Sequence, residues 1–135
     1  MIVLDTDTLI DWGRSGTSGT VSNYLSARTT HQWVIPSIAL YEYLTFYDSQ
    51  SRRRRERQRI ENLTDDILPF DADAAQEAAD IENLLESAGA SLDTGDLLIA
   101  AIARDRGGIL ATRNKNDFDK TPIHQLMDVD IVDTP

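Results

Sequence analysis

Cysteine is absent from the 135 residues of the chain, and its absence excludes disulfide bonds, thiolate catalysis and cysteine-ligated metals. Long apolar runs are also missing, since the longest, 97–103, falls far short of the ~20 residues that a membrane span needs. The first residues show no basic segment that leads into a cleavage site, so no signal peptide is indicated. We therefore expect a soluble, cytoplasmic protein without a membrane partner.

Basic residues are scarce, with 13 Lys and Arg against 23 Asp and Glu and a formal net charge of −10. Only 2 of the bases are lysines, whereas 17 of the acids are aspartates. This composition fits either a halophilic protein, which stays soluble through charge repulsion, or an ordinary acidic protein. Taken as a whole, the charge argues against a nucleic-acid partner, because affinity for phosphate backbones comes largely from Lys and Arg.

A run of arginines interrupts this acidic background. Residues 52–59, RRRRERQR, hold six arginines and one glutamate, and the rest of the chain carries a net charge of −15. The run is either a solvated helix face, with Arg52–Glu56 and Arg57–Glu61 spaced for contact, or a surface that binds phosphates or a partner protein. Successive like charges repel one another, which favours a functional role. The candidate contact residues are Arg52, Arg53, Arg54, Arg55, Arg57 and Arg59.

Short apolar runs alternate with amphipathic segments, which predicts strands separated by helices. The predicted strands are 2–4, 33–35, 67–70, 109–112 and 129–132. The first predicted helix follows a loop at 13–22 and ends at about residue 30, and a second begins at residue 37. Three further helices are predicted over 52–63, 71–88 and 94–106. No short-hairpin turn joins two strands, and parallel neighbours need helical crossovers. The pattern predicts an α/β fold with a central parallel sheet covered by helices on both faces.

Polar residues at the starts of the predicted helices indicate N-caps, and the candidates are Asp7, Ser37, Asp71 and Asp93. Gly89 is typical of the residue that follows a helix end. The Ala-rich helix before it is expected to place on its apolar side Ala75, Ala78, Ala79, Ile81, Leu84 and Leu85. Asn116, Asp117 and Phe118 fit a turn with a hydrophobic anchor.

Four acids stand where the predicted fold brings side chains together. They follow the first strand, interrupt an apolar helix, begin the most apolar helix and follow the fourth strand: Asp5, Glu42, Asp96 and Asp117. Each alone has an ordinary alternative as a cap, turn or paired residue. In a parallel sheet, however, ligands bind at the carboxyl ends of the strands, where these acids would converge. Clustered carboxylates repel one another, and a bound Mg²⁺ relieves this repulsion, which suggests metal-assisted phosphoryl chemistry.

Four segments resemble the signature segments of PIN domains, and more specifically of VapC-type ribonuclease toxins. They are LDTDTLI at 4–10, the Ser-x-x-x-x-Glu element at 37–42, DLLIAAIA at 96–103 and TRNKNDF at 112–118. The resemblance covers residue 2 to about 133. It implies a single PIN domain over 1–135 with a three-layer α/β/α sandwich. It also implies endonucleolytic cleavage of RNA with Mg²⁺ or Mn²⁺ and metal-activated water, a homodimer, and a cognate VapB-type antitoxin that blocks the site.

Carried over by position, the resemblance assigns the metal-binding and catalytic roles to Asp5, Glu42, Asp96 and Asp117. Family members place the fourth acid either where Asn114 stands or where Asp117 stands. Because Asn114 is uncharged, we choose Asp117, with Thr112 and Asn114 as supporting polar contacts. The arginine run is then a candidate contact for RNA or for the antitoxin.

Two other interpretations stay open at this point. The tetrapeptide 5–8, DTDT, also fits the opening motif of haloacid dehalogenase-type phosphatases. That chemistry needs a lysine ahead of a late acidic motif, whereas the first lysine here, Lys115, comes after Asp96. The other alternative is a non-catalytic module whose acids hold a structural cation or a basic partner.

Overall fold

Five short strands alternate with helices in the computed structural model, which describes residues 1–16 and 18–133. The strands are β1 (Ile2–Leu4), β2 (Trp33–Pro36), β3 (Asp66–Leu68), β4 (Ile109–Thr112) and β5 (Val129–Ile131). The helices are α1 (Thr6–Ser15), α2 (Thr20–Ser26), α3 (Ser37–Leu44), α4 (Gln50–Leu63), α5 (Ala72–Ser87), α6 (Thr94–Asp105), α7 (Lys115–Phe118) and α8 (Thr121–Leu126). The predicted alternation of strands and helices is confirmed.

The sheet has the strand order β3-β2-β1-β4-β5, and every neighbouring pair is parallel. The central strand, β1, pairs on both sides, with Val3 opposite Val34 and Leu110. The chain moves outward from β1 to β3 and then returns to β4 on the other side of β1. The carboxyl ends of β1 and β4 therefore form the topological switch point, where parallel α/β sheets bind their ligands.

The core is built on the sheet and on the most apolar helix. All three residues of β1 are fully buried, and so are Ile99, Ala100, Ala101 and Ala103 of α6. Helix α5 packs against α6, while α1 contacts α2 and α3. The small alanines of α6 let neighbouring elements approach closely, so this helix is fixed in position on the sheet. The structure thus confirms the predicted parallel α/β/α architecture.

Two of the four predicted N-caps are wrong. Asp5 caps α1 instead of Asp7, because the backbone N–H of Thr8 donates to Asp5 Oδ1 over 3.0 Å. Ser37 is the first residue of α3 and caps nothing; its hydroxyl accepts a hydrogen bond from the backbone N–H of Phe70. Asp71 caps α5 as predicted.

Several element boundaries also differ from the prediction. Helix α1 continues through Gly13 into the predicted loop because Trp12 is buried edge-on against Trp33, with ring centroids 5.9 Å apart. The predicted turn at 116–118 is a short helix, since the Asn114 side chain accepts from the N–H of Asp117 and caps α7. Phe118 is fully buried, so the predicted hydrophobic anchor is confirmed.

The apolar side of α5 was predicted with a partly wrong phase. The buried residues are Ala74, Ala78, Ile81 and Leu85, whereas Ala75, Ala79 and Leu84 are exposed. The buried set follows the spacing of one helical stripe that faces the core, and alanines on both sides of that stripe made its centre ambiguous in the sequence. Gly89 follows the last helical turn with φ +72°, as predicted for a residue after a helix.

No helix within residues 1–16 and 18–133 combines the length and the apolar character that crossing a membrane requires.

The N-cap of α5 gives a test of this local structure. Asp71→Ala removes the acceptor for the Ala74 N–H, and we expect the free energy of unfolding to fall by about 1 kcal/mol. Asp80→Ala, an exposed change in the interior of the same helix, serves as the control and is expected to cause no loss, because alanine favours the helix. Urea denaturation of both variants measures the difference. Equal losses would show that Asp71 has no capping role.

Candidate active site

Asp5 lies at the carboxyl end of β1 and is the most buried acid of the sheet edge, with 2% of its surface exposed. Its Oδ1 accepts from the Thr8 N–H, and its Oδ2 accepts from the Thr112 hydroxyl at the end of β4. The Thr8 hydroxyl in turn donates to the Ala111 carbonyl over 3.2 Å. Burial raises the pKa of Asp5, while the donors on both oxygens oppose this shift. The carboxylate is therefore held in one orientation by β4 and α1.

A row of hydrogen bonds continues from Thr112 along the end of β4. The Asn114 N–H donates to Thr112 Oγ1 over 2.9 Å, and the Asn114 side-chain amide donates to Asp117 Oδ2 over 2.8 Å. Asn114 Oδ1 accepts from the Asp117 N–H, so the two side chains are bonded twice. The predicted supporting residues, Thr112 and Asn114, thus link two of the predicted acids.

Asp96 lies in the first turn of α6, and the charges around it show that the acids converge. Carboxylate oxygens of Asp93, Asp96 and Asp117 lie within 4.8 Å of one another. Burial, together with the negative charges of Asp5, Asp117, Asp93 and Glu42, raises the pKa of Asp96 to about 6. The four predicted acids are therefore electrostatic neighbours at the switch point of the sheet.

Glu42 reaches this cluster from α3. Its Oε1 accepts a hydrogen bond from the Thr6 hydroxyl over 2.5 Å, which ties α3 to the first residue of α1. Its Oε2 lies against Gly95, where an added Cβ would come within 3.0 Å. Glycine at position 95 therefore leaves room for the Glu42 carboxylate beside the start of α6.

Sequence reasoning missed Asp93 as a member of the cluster. It was interpreted as an N-cap, and it does occupy that position, but its side chain makes no capping hydrogen bond. Its backbone carbonyl accepts from the Leu97 N–H, while its carboxylate lies with Asp96 and Asp117. An Asp three residues before another at a helix start is also what capping produces, so the sequence alone does not separate the two roles. The hydrogen-bonding roles of Thr6 and Thr8, and the space that Gly95 leaves for Glu42, were missed as well.

The donor set fits a hard divalent cation. The cluster offers carboxylate oxygens only, from Asp5, Glu42, Asp93, Asp96 and Asp117. Within the part of the chain that the structure describes, none of these carboxylates lies within 4.0 Å of a Lys, Arg or His nitrogen. Oxygen ligands of this kind suit Mg²⁺ or Mn²⁺, and the uncompensated negative charge favours binding of such an ion.

The arginine run lies on α4, apart from these carboxylates. The predicted Arg57–Glu61 contact is present at 2.8 Å. The predicted Arg52–Glu56 pair is absent among the described residues, because Glu56 instead accepts from Arg59 and from two tyrosines of the α3 region. The hydrogen bonds from Tyr43, Tyr47 and Arg59 thus hold the Glu56 carboxylate away from Arg52.

The parallel sheet with acids at its switch point defines a PIN-like α/β/α domain. The sequence model of the PIN domain family matches residues 2–123, and the chain belongs to this family. It is similar to a VapC ribonuclease, Y4jK, from Sinorhizobium fredii, at 28% identity over 88% of this chain and 91% of the relative.

Solved structures give the same fold. The chain superimposes on VapBC from Salmonella typhimurium, solved bound to DNA, with a TM-score of 0.79 and 22% identity over 98% of both chains. VapBC2 from Rickettsia felis, solved bound to a promoter fragment, gives a TM-score of 0.77 with 21% identity over 98% of this chain and 100% of the other. The chain is therefore a PIN-domain homologue of VapC ribonucleases.

Repulsion within the cluster predicts an unusual response to pH. Because the pKa of Asp96 is raised from 3.8 to about 6, the folded protein keeps this carboxyl protonated at pH values where the unfolded chain ionises it. The contribution of Asp96 to stability is thus present below pH 4 and is lost as the pH rises through about 6. In EDTA at pH 7 we expect Asp96→Asn to stabilise the fold by about 1 kcal/mol, a value reduced for solvent screening of a half-buried group.

Thermal unfolding between pH 4 and 7 checks this prediction, with the exposed substitution Glu82→Gln on α5 as the control. The control variant should follow the wild-type pH dependence. A variant Asp96→Asn that is less stable than wild type in EDTA at pH 7 would contradict the account of charge repulsion.

Proposed function

We propose that the chain is a Mg²⁺- or Mn²⁺-dependent endoribonuclease that hydrolyses RNA phosphodiester bonds as the toxin of a toxin–antitoxin pair. The observation that carries this proposal is the convergence of Asp5, Glu42, Asp96 and Asp117, with Asp93, at the switch point of the sheet. No basic group within the described residues pairs with them. The name of the similar Y4jK protein as a ribonuclease supports the choice of RNA.

Three of the proposed ligands, Asp5, Glu42 and Asp117, have hydrogen-bond partners that fix their direction. Thr8 and Thr112 hold both oxygens of Asp5, so this carboxylate has a defined orientation toward the cluster. Asn114 holds one oxygen of Asp117 and leaves the other free. Thr6 holds Oε1 of Glu42, while Oε2 lies at the start of α6. Such outer contacts orient ligands and raise metal affinity in other metal sites.

A divalent ion, when bound, would lower the pKa of an attacking water and stabilise negative charge on the scissile phosphate. The chain contributes the carboxylates at the switch point of the sheet. Burial and the negative charges around it raise the pKa of Asp96, and a bound cation would favour its ionised form. In this proposal water attacks the phosphorus and the bond from phosphorus to the 3′ oxygen breaks, so the 3′ oxygen is the leaving group and the products carry 5′-phosphate and 3′-hydroxyl ends.

The partner, the oligomeric state, the domain organisation and the cellular location are inferred from the similar proteins of the family. The similar solved structures are VapBC complexes, and one is described as a toxin–antitoxin system. We infer a VapB-type antitoxin as the partner that blocks the acid cluster, a homodimer of this chain, one PIN domain over 1–135 and a cytoplasmic site of action. The matched region, 2–123, and the absence of a spanning helix in the described residues support the last two points.

Asp7 separates the nuclease from the phosphatase interpretation. A dehalogenase-type enzyme would use Asp5 and Asp7 together, yet Asp7 is exposed in the first turn of α1 while Asp5 is buried. We expect Asp5→Asn and Asp96→Asn each to reduce RNA cleavage in Mg²⁺ or Mn²⁺ by at least about 100-fold. Asp7→Asn, the matched control two residues from Asp5, should retain wild-type activity. Cleavage of a labelled RNA, followed on gels, measures all three.

Equal activity in wild type, Asp5→Asn and Asp96→Asn would exclude the proposed nuclease site. Absence of cleavage in the wild type over a wide set of RNAs, together with Mg²⁺-induced stabilisation, would favour the non-catalytic module instead.

Asn114 gives a test of the outer contacts. Asn114→Ala removes the amide that holds Asp117, so we expect the Mg²⁺ concentration for half-maximal cleavage to rise about 10- to 100-fold. Asn116→Ala, an exposed change two residues along, is the matched control. Metal titration of cleavage rates measures both variants, and thermal unfolding checks that the fold is intact. An unchanged metal requirement in Asn114→Ala would show that Asp117 needs no positioning.

A further inference from the structure

The structure divides the arginines of α4 into engaged and free side chains. Arg59 is engaged: its Nη2 donates to Glu56 over 2.7 Å, to the Tyr43 hydroxyl over 2.8 Å and to the Gly13 carbonyl over 3.2 Å. The Arg59 guanidinium lowers the pKa of Glu56 to about 2. This network fixes the middle of α4 to α1 and α3, so Arg59 serves packing and is not available to a ligand.

Two further arginines are also engaged. Arg53 donates to the Tyr47 carbonyl over 2.7 Å, and Arg57 pairs with Glu61 over 2.8 Å. The remaining three, Arg52, Arg54 and Arg55, are exposed. No acid within residues 1–16 and 18–133 lies within 4.0 Å of their nitrogens.

One of these free arginines, Arg52, lies beside an aromatic ring whose chain neighbour is an exposed phenylalanine. Arg52 and Arg55 lie three positions apart and so one above the other on α4. The Arg52 guanidinium lies 5.1 Å from the centre of the Tyr47 ring. The next residue back, Phe46, is 59% exposed, and Arg14 from the last turn of α1 lies 5.8 Å from its ring centre.

We call Arg14, Phe46, Arg52 and Arg55 the basic–aromatic surface. Among the described residues, none of Arg14, Arg52 and Arg55 has an acidic partner within 4.0 Å, and the rest of the chain carries a large negative charge. Clustered arginines repel one another, and a polyanion relieves this repulsion. Phe46 is exposed beside the Arg14 guanidinium, and an exposed aromatic ring next to a cation is a suitable platform for a nucleobase.

We propose that the basic–aromatic surface binds single-stranded RNA, with Arg14, Arg52 and Arg55 on phosphates and Phe46 under a base. The inference rests on the proposed ribonuclease function. Helix α3 connects the surface to the acid cluster, because its successive residues Glu42 and Tyr43 contact the cluster and the α4 network. The carboxylates of the acid cluster repel the phosphates of RNA. The arginines of the basic–aromatic surface attract those phosphates, which the acidic remainder of the chain does not.

The test measures binding of a short fluorescein-labelled single-stranded RNA by anisotropy, in the Asp96→Asn background so that no cleavage occurs. Arg52→Gln/Arg55→Gln is expected to weaken binding about 25-fold at about 0.1 M salt and to lower the slope of log affinity against log salt by about 1.4. Phe46→Ala is expected to weaken binding by about 5-fold or more without a change in that slope.

The matched control is Arg106→Gln/Lys120→Gln, which removes two exposed cations from other parts of the chain. It should bind within about 2-fold of the background protein, because charges beyond a Debye length are screened. Equal weakening in both double variants, or none in Arg52→Gln/Arg55→Gln, overturns the proposal. Thermal unfolding of all variants confirms that the fold is intact.

Poly-L-glutamate, added as an unlabelled competitor, tests whether the surface prefers an acidic protein segment. Weak competition relative to unlabelled RNA is expected, since a polypeptide carboxylate chain offers no base for Phe46. Competition as strong as that of RNA overturns the assignment to RNA. The result is independent of catalysis: a wild-type protein that binds RNA here but never cleaves it would refute the ribonuclease function and leave the surface standing.

Discussion

The hydrogen bond from Thr112 to Asp5 depends on one constraint, the parallel pairing of β1 with β4 at the centre of the sheet. This pairing brings the ends of two strands that are far apart in sequence into contact. Asp5 then has donors on both oxygens, and these hydrogen bonds oppose the rise in its pKa that burial causes. The acids of α3, α6 and the segment after β4 gather around that position.

The cluster is a compromise between folding and binding. Burial and neighbouring like charges raise the pKa of Asp96, so its ionisation near neutral pH opposes folding. The surrounding structure compensates, with a fully buried central strand and with α6 packed through alanines. A cluster of carboxylates lowers the stability of the fold at one edge of the sheet, and a bound cation would restore that stability by neutralising their repulsion.

Most of the fold and most acids of the candidate site could be predicted from the sequence, because a short apolar run followed by polar residues marks the end of a strand. Asp5 and Asp117 follow short apolar runs, and Asp96 begins the most apolar helix, so a parallel sheet brings them together. Asp93 was missed because an aspartate at the start of a helix is equally typical of an N-cap and of a proposed metal ligand. The caps at Asp7 and Ser37 were wrong for a related reason: neighbouring polar residues compete, and tertiary contacts choose between them. Arg14 and Phe46 lie 32 positions apart, and only the packing of α1 against α3 makes them neighbours.

A crystal soaked in Mn²⁺ tests the central claim most directly, because the anomalous signal of the ion locates it without reference to activity. The account predicts an anomalous peak within coordination distance of carboxylate oxygens of Asp5 and Asp96, with the remaining acids around it. Manganese bound at other acidic residues of the surface, with none between Asp5 and Asp96, would contradict it.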